Sequence, residues 1–255
     1  MPVTLSVQDR VAVITGGSRG IGAACVRMFS EAGAKVVFNY QRAREAADKL
    51  VAQCGAERTA AIQAELDGRG GEKQLIDAAL NQFGRVDVLV VNHGIWPSQD
   101  APVDQLSEEQ WRRTIAVNLD SVYLLVRNAV AAMKRQGGGH IVLVSSTAGQ
   151  RGEAFHCDYA ATKGAIISMV KGLSTELAPH NIRVNAVAPG WVRTDMSEGV
   201  LTAPDTRDRI YITIPLGRVA TPEEIAAPVL FLCTPHAGFI TGEIFNVNGG
   251  AVLVG

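Results

Sequence analysis

Short apolar runs alternate with longer amphipathic stretches along nearly the whole chain. Continuous apolar runs are typical of parallel strands that are buried on both faces, whereas recurrence every three to four residues indicates helices. Strands are predicted at 11–15, 35–39, 59–63, 86–91, 140–144, 182–187 and 244–247, and helices at 23–32, 43–53, 71–83, 107–135 and 157–178, with a last helix capped by Thr221. This alternation predicts an α/β fold, a doubly wound parallel seven-stranded sheet with helices on both faces, in a single domain over residues 1–255.

Two stretches do not follow the simple alternation. Residues 195–218 contain Gly, Pro and mixed polarity, so a lid over a site or a plain loop is predicted there. Asn118 lies inside the long helical pattern 107–135, where a polar Asn is unfavourable. It either bonds a neighbouring backbone group or organises water near a site.

A glycine-rich turn follows the first strand directly and leads into a helix. This context favours a phosphate cradle, because glycines allow close backbone approach and the helix N-terminus attracts anions. The predicted contacts are Gly16, Ser18, Arg19, Gly20, Ile21 and Gly22.

The end of the second strand bears on the choice of cofactor. Asn39, Tyr40 and Arg42 stand where an acidic residue would bond the free ribose hydroxyl of NAD, and Arg19 lies in the preceding turn. With no carboxylate to repel a phosphate, the sequence favours NADP over NAD. The alternative is that Arg42 and Arg44 merely begin a solvated helix. Glu65 and Leu66, just past the third strand, are predicted near the adenine.

Tyr159 and Lys163 lie four residues apart in a helical pattern, which puts them on one face. A phenol has a reference pKa of about 10, and an ammonium group nearby lowers it. The pair is therefore predicted to work as a proton donor and acceptor near neutral pH. Taken alone, Tyr-x-x-x-Lys is common in helices by chance. The clustering of other candidates at strand ends, including Asn92, His93 and Gly94, favours an active site.

Composition excludes several classes. The net charge of -1 and the lack of a basic face argue against nucleic acid as a partner, and no apolar run approaches the length of a membrane span. Cys25, Cys54, Cys157 and Cys233 are scattered, so neither a metal site nor a disulfide framework is predicted. Reduced thiols and the absence of a signal pattern at the N-terminus predict a cytoplasmic protein.

These motifs together resemble the short-chain dehydrogenase/reductase family, and the chain is closest to its 3-oxoacyl-[acyl-carrier-protein] reductases. The resemblance implies a Rossmann-type fold and the catalytic residues Asn118, Ser146, Tyr159 and Lys163, with Ser146 donating a hydrogen bond to the developing alkoxide and Asn118 holding a water linked to Lys163. It also implies that Pro189, Gly190, Val192 and Thr194 hold the nicotinamide and pyrophosphate. His93 departs from the usual Ala and is expected beside the adenosine ribose.

The resemblance implies NADPH-dependent reduction of a carbonyl, with a 3-oxoacyl thioester as the expected substrate and a homotetramer as the expected assembly, formed through the helices at 107–135 and 157–178. Acyl carrier protein is an expected partner through Arg135 beside Lys134, although His180 at the second docking position is largely neutral. Small ketones, sugars, polyols or steroid-like alcohols are the alternative substrates. A non-catalytic NADP(H) sensor and a methyltransferase are the alternatives from other classes.

Overall fold

The computed structural model describes residues 4–254. Its centre is a seven-stranded sheet whose neighbouring strands are all parallel, in the order β3-β2-β1-β4-β5-β6-β7. The strands are β1 Val11–Ile14, β2 Lys35–Tyr40, β3 Thr59–Gln63, β4 Val88–Val91, β5 Gly139–Val144, β6 Ile182–Pro189 and β7 Ile244–Val247. The order reverses between β1 and β4, which opens a crevice at their carboxyl ends. The predicted fold class is confirmed.

Helices cover both faces of the sheet. They are α1 Gly20–Glu31, α2 Arg44–Cys54, α3 Gly71–Phe83, α4 Glu108–Ile115, α5 Ser121–Gln136, α6 Thr147–Arg151, α7 Cys157–Leu177, α8 Asp195–Leu201, α9 Pro204–Ile212 and α10 Pro222–Leu232. Successive strand residues point to opposite faces, so Ala12 and Ile14 join the core under α1 and α10, whereas Val11 and Val13 join the core under α3, α5 and α7. Both cores are therefore built from the same continuous apolar runs.

The predicted helix at 107–135 is interrupted by one wide turn. Between α4 and α5 the residues Ala116–Asp120 form a π-helical segment, which carries Asn118. Ser107 caps α4 by accepting from the backbone N–H of Gln110. By length and composition alone, residues 108–136 are long and apolar enough to cross a membrane. Their apolar face, however, is built into the core around Leu125 and Met133, which is the placement of a core helix.

Residues 195–218 are more regular than the sequence indicates. They form α8 and α9, where an irregular lid or loop was predicted. Thr194 and Ser197 make a reciprocal capping box at the start of α8, and Pro204 stands in the first turn of α9. The residues of α9 are mostly exposed, with only Ile210 buried, so no apolar stripe marked this helix in the sequence.

Candidate active site

The predicted site residues converge on one cleft of about 500 Å³ at the carboxyl ends of the strands. Gly22 and Asn118 lie behind its wall rather than on it. The other predicted site residues line the cleft, and they are Gly16, Ser18, Arg19, Gly20, Ile21, Asn39, Tyr40, Arg42, Glu65, Leu66, Asn92, His93, Gly94, Ser146, Tyr159, Lys163, Pro189, Gly190, Val192 and Thr194. The cleft is therefore where the chain's chemistry is concentrated.

The turn between β1 and α1 has the geometry of an anion cradle. A Cβ atom on Gly22 would lie 2.0 Å from the carbonyl oxygen of Gly16, so the turn closes only with glycine there. Gly20 adopts a φ of +52°, in the left-handed region. Within residues 4–254, no side chain caps the first turn of α1, which leaves its N–H groups directed at the cleft. These features fit the pyrophosphate of a dinucleotide.

Asn39 is part of this cradle's support. Its side chain accepts from the backbone N–H of Gly16 at 2.8 Å and donates to the carbonyl of Ala64 at 3.0 Å. Because both ends of the amide are engaged, Asn39 ties the turn to the third strand instead of offering a free group to a ribose. The Arg42 guanidinium is exposed, and we find no hydrogen-bonding partner for it in the described part of the chain.

Two predicted contacts are already paired within the protein. Arg19 makes a 2.8 Å ion pair with Asp195 at the start of α8, and both side chains are exposed. Glu65 pairs with Arg113 at 2.7 Å, next to the buried side chain of Leu66. Exposed ion pairs of this kind are weak, about 0–1 kcal/mol, so a phosphate can compete for Arg19.

Ser146 and Tyr159 lie near each other in the cleft, which both of them line. Ser146 lies two residues after β5 and accepts a hydrogen bond from the backbone N–H of Ala148, as the cap of α6. Burial raises the pKa of Tyr159 to about 12, which the nearby Ser146 hydroxyl opposes and the negative charge of Glu153 reinforces. The prediction that Lys163 holds this pKa low is wrong for the protein alone, because the loss of solvation dominates.

Lys163 is buried beneath Tyr159. Its Nζ lies 5.6 Å from the centre of the Tyr159 ring and donates to the carbonyl of Val144 at 2.8 Å. Burial lowers the pKa of Lys163 to about 8. The packing is tight here, since a Cβ on Gly149 would lie 2.5 Å from the carbonyl carbon of Lys163. Lys163 is thus fixed in place by its surroundings.

Asn118 clamps the loop after β4. Its Oδ1 accepts from the backbone N–H of Ile95, and its Nδ2 donates to the carbonyl of the same residue, both at 2.8 Å. Both ends of the Asn118 amide are therefore bonded to Ile95, and the water that the resemblance implies stays a prediction. The π-helical segment directs this side chain towards the loop, and Asn118 thereby supports the wall of the cleft next to Lys163.

His93 is oriented differently from the prediction. Its Nδ1 lies 2.8 Å from Oγ1 of Thr15 and its Nε2 lies 2.7 Å from Oγ of Ser121, so the ring bridges β1 and α5 instead of facing the ribose. Ser121 gives its own proton to the carbonyl of Val117, so the hydrogen of the ring is on Nε2. Burial, followed by the charge of Lys163, lowers the pKa of His93 to about 3. His93 is therefore a neutral crosslink.

Sequence reasoning missed the aromatic and acidic residues near Tyr159. Trp96, Glu153 and Trp191 all line the cleft. Trp96 and Trp191 meet edge to face, with ring centres 6.1 Å apart and planes at 84°. The only available signal was their closeness in sequence to Gly94, Tyr159 and Gly190.

Comparisons with known proteins decide the family. Residues 16–252 match the family model described as Enoyl-(Acyl carrier protein) reductase. A 3-oxoacyl-[acyl-carrier-protein] reductase of Synechocystis sp. is 39% identical and covers 96% of this chain and 97% of its own length. A structure described as a short-chain dehydrogenase/reductase, glucose/ribitol dehydrogenase, from Brucella melitensis has a TM-score of 0.91 at 37% identity, covering 99% of this chain and 100% of its own. This chain is a short-chain dehydrogenase/reductase.

A second similar structure contains a bound nicotinamide cofactor. The 3-ketoacyl-(acyl-carrier-protein) reductase of Brucella melitensis was solved with NADH, and it matches with a TM-score of 0.88 at 33% identity, covering 98% of this chain and 100% of its own. Short-chain dehydrogenase/reductases are oxidoreductases that bind a nicotinamide cofactor. The glycine cradle of this chain suits the pyrophosphate of that cofactor, and the Tyr159 end of the cleft is left for a substrate.

Proposed function

We propose that this short-chain dehydrogenase/reductase is an NADP(H)-dependent oxidoreductase that interconverts a carbonyl and a secondary alcohol. The observation that carries the proposal is the shared cleft, which Ser146, Tyr159 and Lys163 line together with the glycine cradle. A dinucleotide that spans this cleft supplies or accepts a hydride at its nicotinamide ring.

The side chains of the protein account for the proton. A raised pKa keeps the Tyr159 phenol protonated at neutral pH, which suits donation to a carbonyl oxygen during reduction. Ser146 donates a hydrogen bond to the same oxygen as negative charge develops there. Lys163, one helical turn from Tyr159, offers a positive charge that stabilises the phenolate left behind. The reverse direction returns the proton from the alcohol to Tyr159.

The charges at the end of β2 support NADP over NAD. Arg42 is exposed and has no side-chain partner among the described residues, and Arg19 is held only by a weak surface pair. Guanidinium groups bind phosphate through paired hydrogen bonds. The 2′-phosphate of NADP would therefore gain contacts here that the free hydroxyl of NAD lacks.

The expected substrate is a 3-oxoacyl thioester, the class that the names of the Synechocystis and second Brucella relatives indicate. Acyl carrier protein is then a proposed partner, through Lys134 and Arg135 at the end of α5.

A cytoplasmic homotetramer that associates through α5 and α7 is the proposed assembly. Size-exclusion chromatography with light scattering tests this oligomeric state.

The direct test follows loss of NADPH absorbance with a short 3-oxoacyl thioester, in parallel with NADH. Rapid loss with NADPH alone supports the enzyme class, the cofactor and the substrate together. Binding of NADPH without consumption by any carbonyl compound would favour the sensor, and failure to bind either nicotinamide would favour the methyltransferase. Consumption of NADPH only with other ketones would retain the reaction and reject the thioester.

A further inference from the structure

The imidazole ring of His93 joins the end of β1 to α5. Its Nε2 donates to Oγ of Ser121 at 2.7 Å, because Ser121 gives its own proton to the carbonyl of Val117. Its Nδ1 is then the acceptor for the hydroxyl of Thr15, at 2.8 Å. Thr15 and Ser121 are both fully buried, so water does not compete for either hydrogen bond. The ring is therefore a directed link between two elements.

One end of this link supports the glycine cradle. Thr15 precedes the cradle, and its Oγ1 accepts from the backbone N–H groups of Asn92 and His93 at 2.9 and 3.1 Å. The cradle also packs against the same loop, because a Cβ on Gly16 would lie 3.2 Å from Nδ2 of Asn92 and 3.2 Å from Cα of His93. The orientation of the His93 ring therefore bears on the shape of the cradle.

The other end of the link supports the catalytic side of the cleft. Ser121 bonds to Val117, which lies beside Asn118 in the π-helical segment. The amide of Asn118 clamps the loop after β4, and this loop contacts Lys163. A Cβ on Gly94 would lie 3.2 Å from Oδ1 of Asn118 and 3.7 Å from Nζ of Lys163. A shift of the π-helical segment would therefore change the surface against which Lys163 packs.

Neither side depends on the ring for all of its hydrogen bonds. Without His93 the Ser121 hydroxyl can still donate to the carbonyl of Val117, and the Thr15 hydroxyl can turn to the carbonyl of Val90, 3.5 Å away. An alanine at position 93 would thus leave both sides hydrogen-bonded but unlinked. The ring adds a connection between the two sides.

We propose that His93 is a positioning residue that couples the dinucleotide cradle to the Asn118 segment, so that cofactor binding and the placement of Lys163 depend on each other. This inference rests on the proposed function, because it assumes that the cradle binds NADPH. Such coupling is reciprocal, so a change on the catalytic side of the ring should alter cofactor affinity. The same change should have little effect on that affinity once the ring is absent.

A double-mutant cycle on Ser121 and His93 tests this coupling. Ser121→Ala removes the acceptor of Nε2 at a residue outside the cleft lining. It should raise the Kd for NADPH at least about fivefold in the wild type and less than about twofold in His93→Ala, as measured by fluorescence titration. Ser174→Ala is the matched control, since Ser174 is also a buried helical serine that donates to a backbone carbonyl, and it should leave the Kd unchanged.

Turnover gives a second readout that a loss of stability alone would not move. With saturating NADPH and the concentration of folded enzyme fixed by NADPH titration, His93→Ala should lower kcat for a short 3-oxoacyl thioester at least about fivefold. His93→Phe retains a ring but neither hydrogen bond, so it should match His93→Ala. Wild-type kcat and Kd in His93→Phe would show that packing suffices and would overturn the hydrogen-bonded link.

The outcomes separate this proposal from the proposed function. Equal effects of Ser121→Ala in both backgrounds, or no effect in the wild type, would overturn the coupling and leave the oxidoreductase function intact. A wild type that binds NADPH but reduces no carbonyl compound would overturn the function, and the Kd cycle would still decide the coupling. A wild type that binds no nicotinamide would overturn both.

Discussion

Tyr159 and Tyr123 carry the same phenol in different surroundings. Tyr159 lines the cleft beside Ser146, whereas Tyr123 on α5 is 53% exposed. Tyr159→Phe should lower kcat by about 10²–10⁴, the usual contribution of a general acid, and leave the Kd for NADPH within a factor of three. Steady-state kinetics and a fluorescence titration measure the two quantities, with Tyr123→Phe as the control. Retained turnover would exclude Tyr159 as the proton donor.

Arg42 and Arg44 are both exposed guanidinium groups at the start of α2, and they differ in their partners. Arg44 contacts the side chain of Gln63, while Arg42 is available to a phosphate. Arg42→Ala should raise the Kd for NADPH about 10- to 100-fold, because a hydrogen bond to a charged group contributes about 1.5–3 kcal/mol. The Kd for NADH should change little, and Arg44→Ala should affect neither. Equal losses for both cofactors would contradict 2′-phosphate recognition by Arg42.

His93 ties the protein's stability to pH. In the folded protein it stays neutral down to about pH 3, whereas an unfolded histidine takes up its proton near 6.5. In this window the unfolded chain binds more protons, so the free energy of unfolding falls as the pH falls. Between pH 7.5 and pH 5 the loss is about 2 kcal/mol.

His93→Ala should remove this dependence. The variant loses the crosslink to Thr15 and Ser121 and should be less stable than the wild type at pH 7.5. At pH 5 the difference in the free energy of unfolding between the wild type and the variant should be about 2 kcal/mol smaller than at pH 7.5, as measured by urea unfolding. The buried His140 titrates in both proteins and cancels, and the exposed His180→Ala serves as control. A constant difference at both pH values would mean that His93 is not held neutral.

At the level of elements, the β1–turn–α1 unit depends on one close approach. Gly22→Ala would place a methyl group 2.0 Å from the carbonyl oxygen of Gly16, so the turn must move. The Kd for NADPH should rise at least tenfold, as followed by titration. Gly172→Ala is the matched control, because a Cβ there meets no atom within 4 Å on the exposed face of α7. That control should keep its affinity and gain up to about 1 kcal/mol of stability.

The elements also show what the sequence could predict. Each buried parallel strand corresponds to an apolar run in the sequence, and the run ends in glycine or polar residues. The strands and the residues at their carboxyl ends could therefore be predicted. The two helices α8 and α9 could not be predicted from an apolar pattern, because they bury few side chains. Their first turns are instead favoured by the capping residue Thr194 and by Pro204. Trp96 and Glu153 were missed for a different reason. Their common place in the cleft depends on how the loops after β4 and α6 fold towards each other, and no local sequence period encodes that.

For the whole molecule, binding should be visible as stability. A ligand at a hundred times its Kd adds about 2.7 kcal/mol to a protein that binds it only when folded. For a chain of this size the midpoint of thermal unfolding should rise by roughly 5–10 °C with saturating NADPH. NADH at the same concentration should give a smaller rise, which scanning calorimetry can measure. A larger shift with NADH would contradict the predicted cofactor preference.

Lys163 and the edge-to-face pair of Trp96 and Trp191 belong to different layers of the cleft. Lys163 is locked by Val144 and by the contact of α6 with α7, whereas Trp96 and Trp191 project from segments outside the sheet. Substitution of Trp96 or Trp191 should therefore leave the position of Lys163 unchanged. In evolutionary terms, related enzymes can keep the same reaction while their substrate specificity changes.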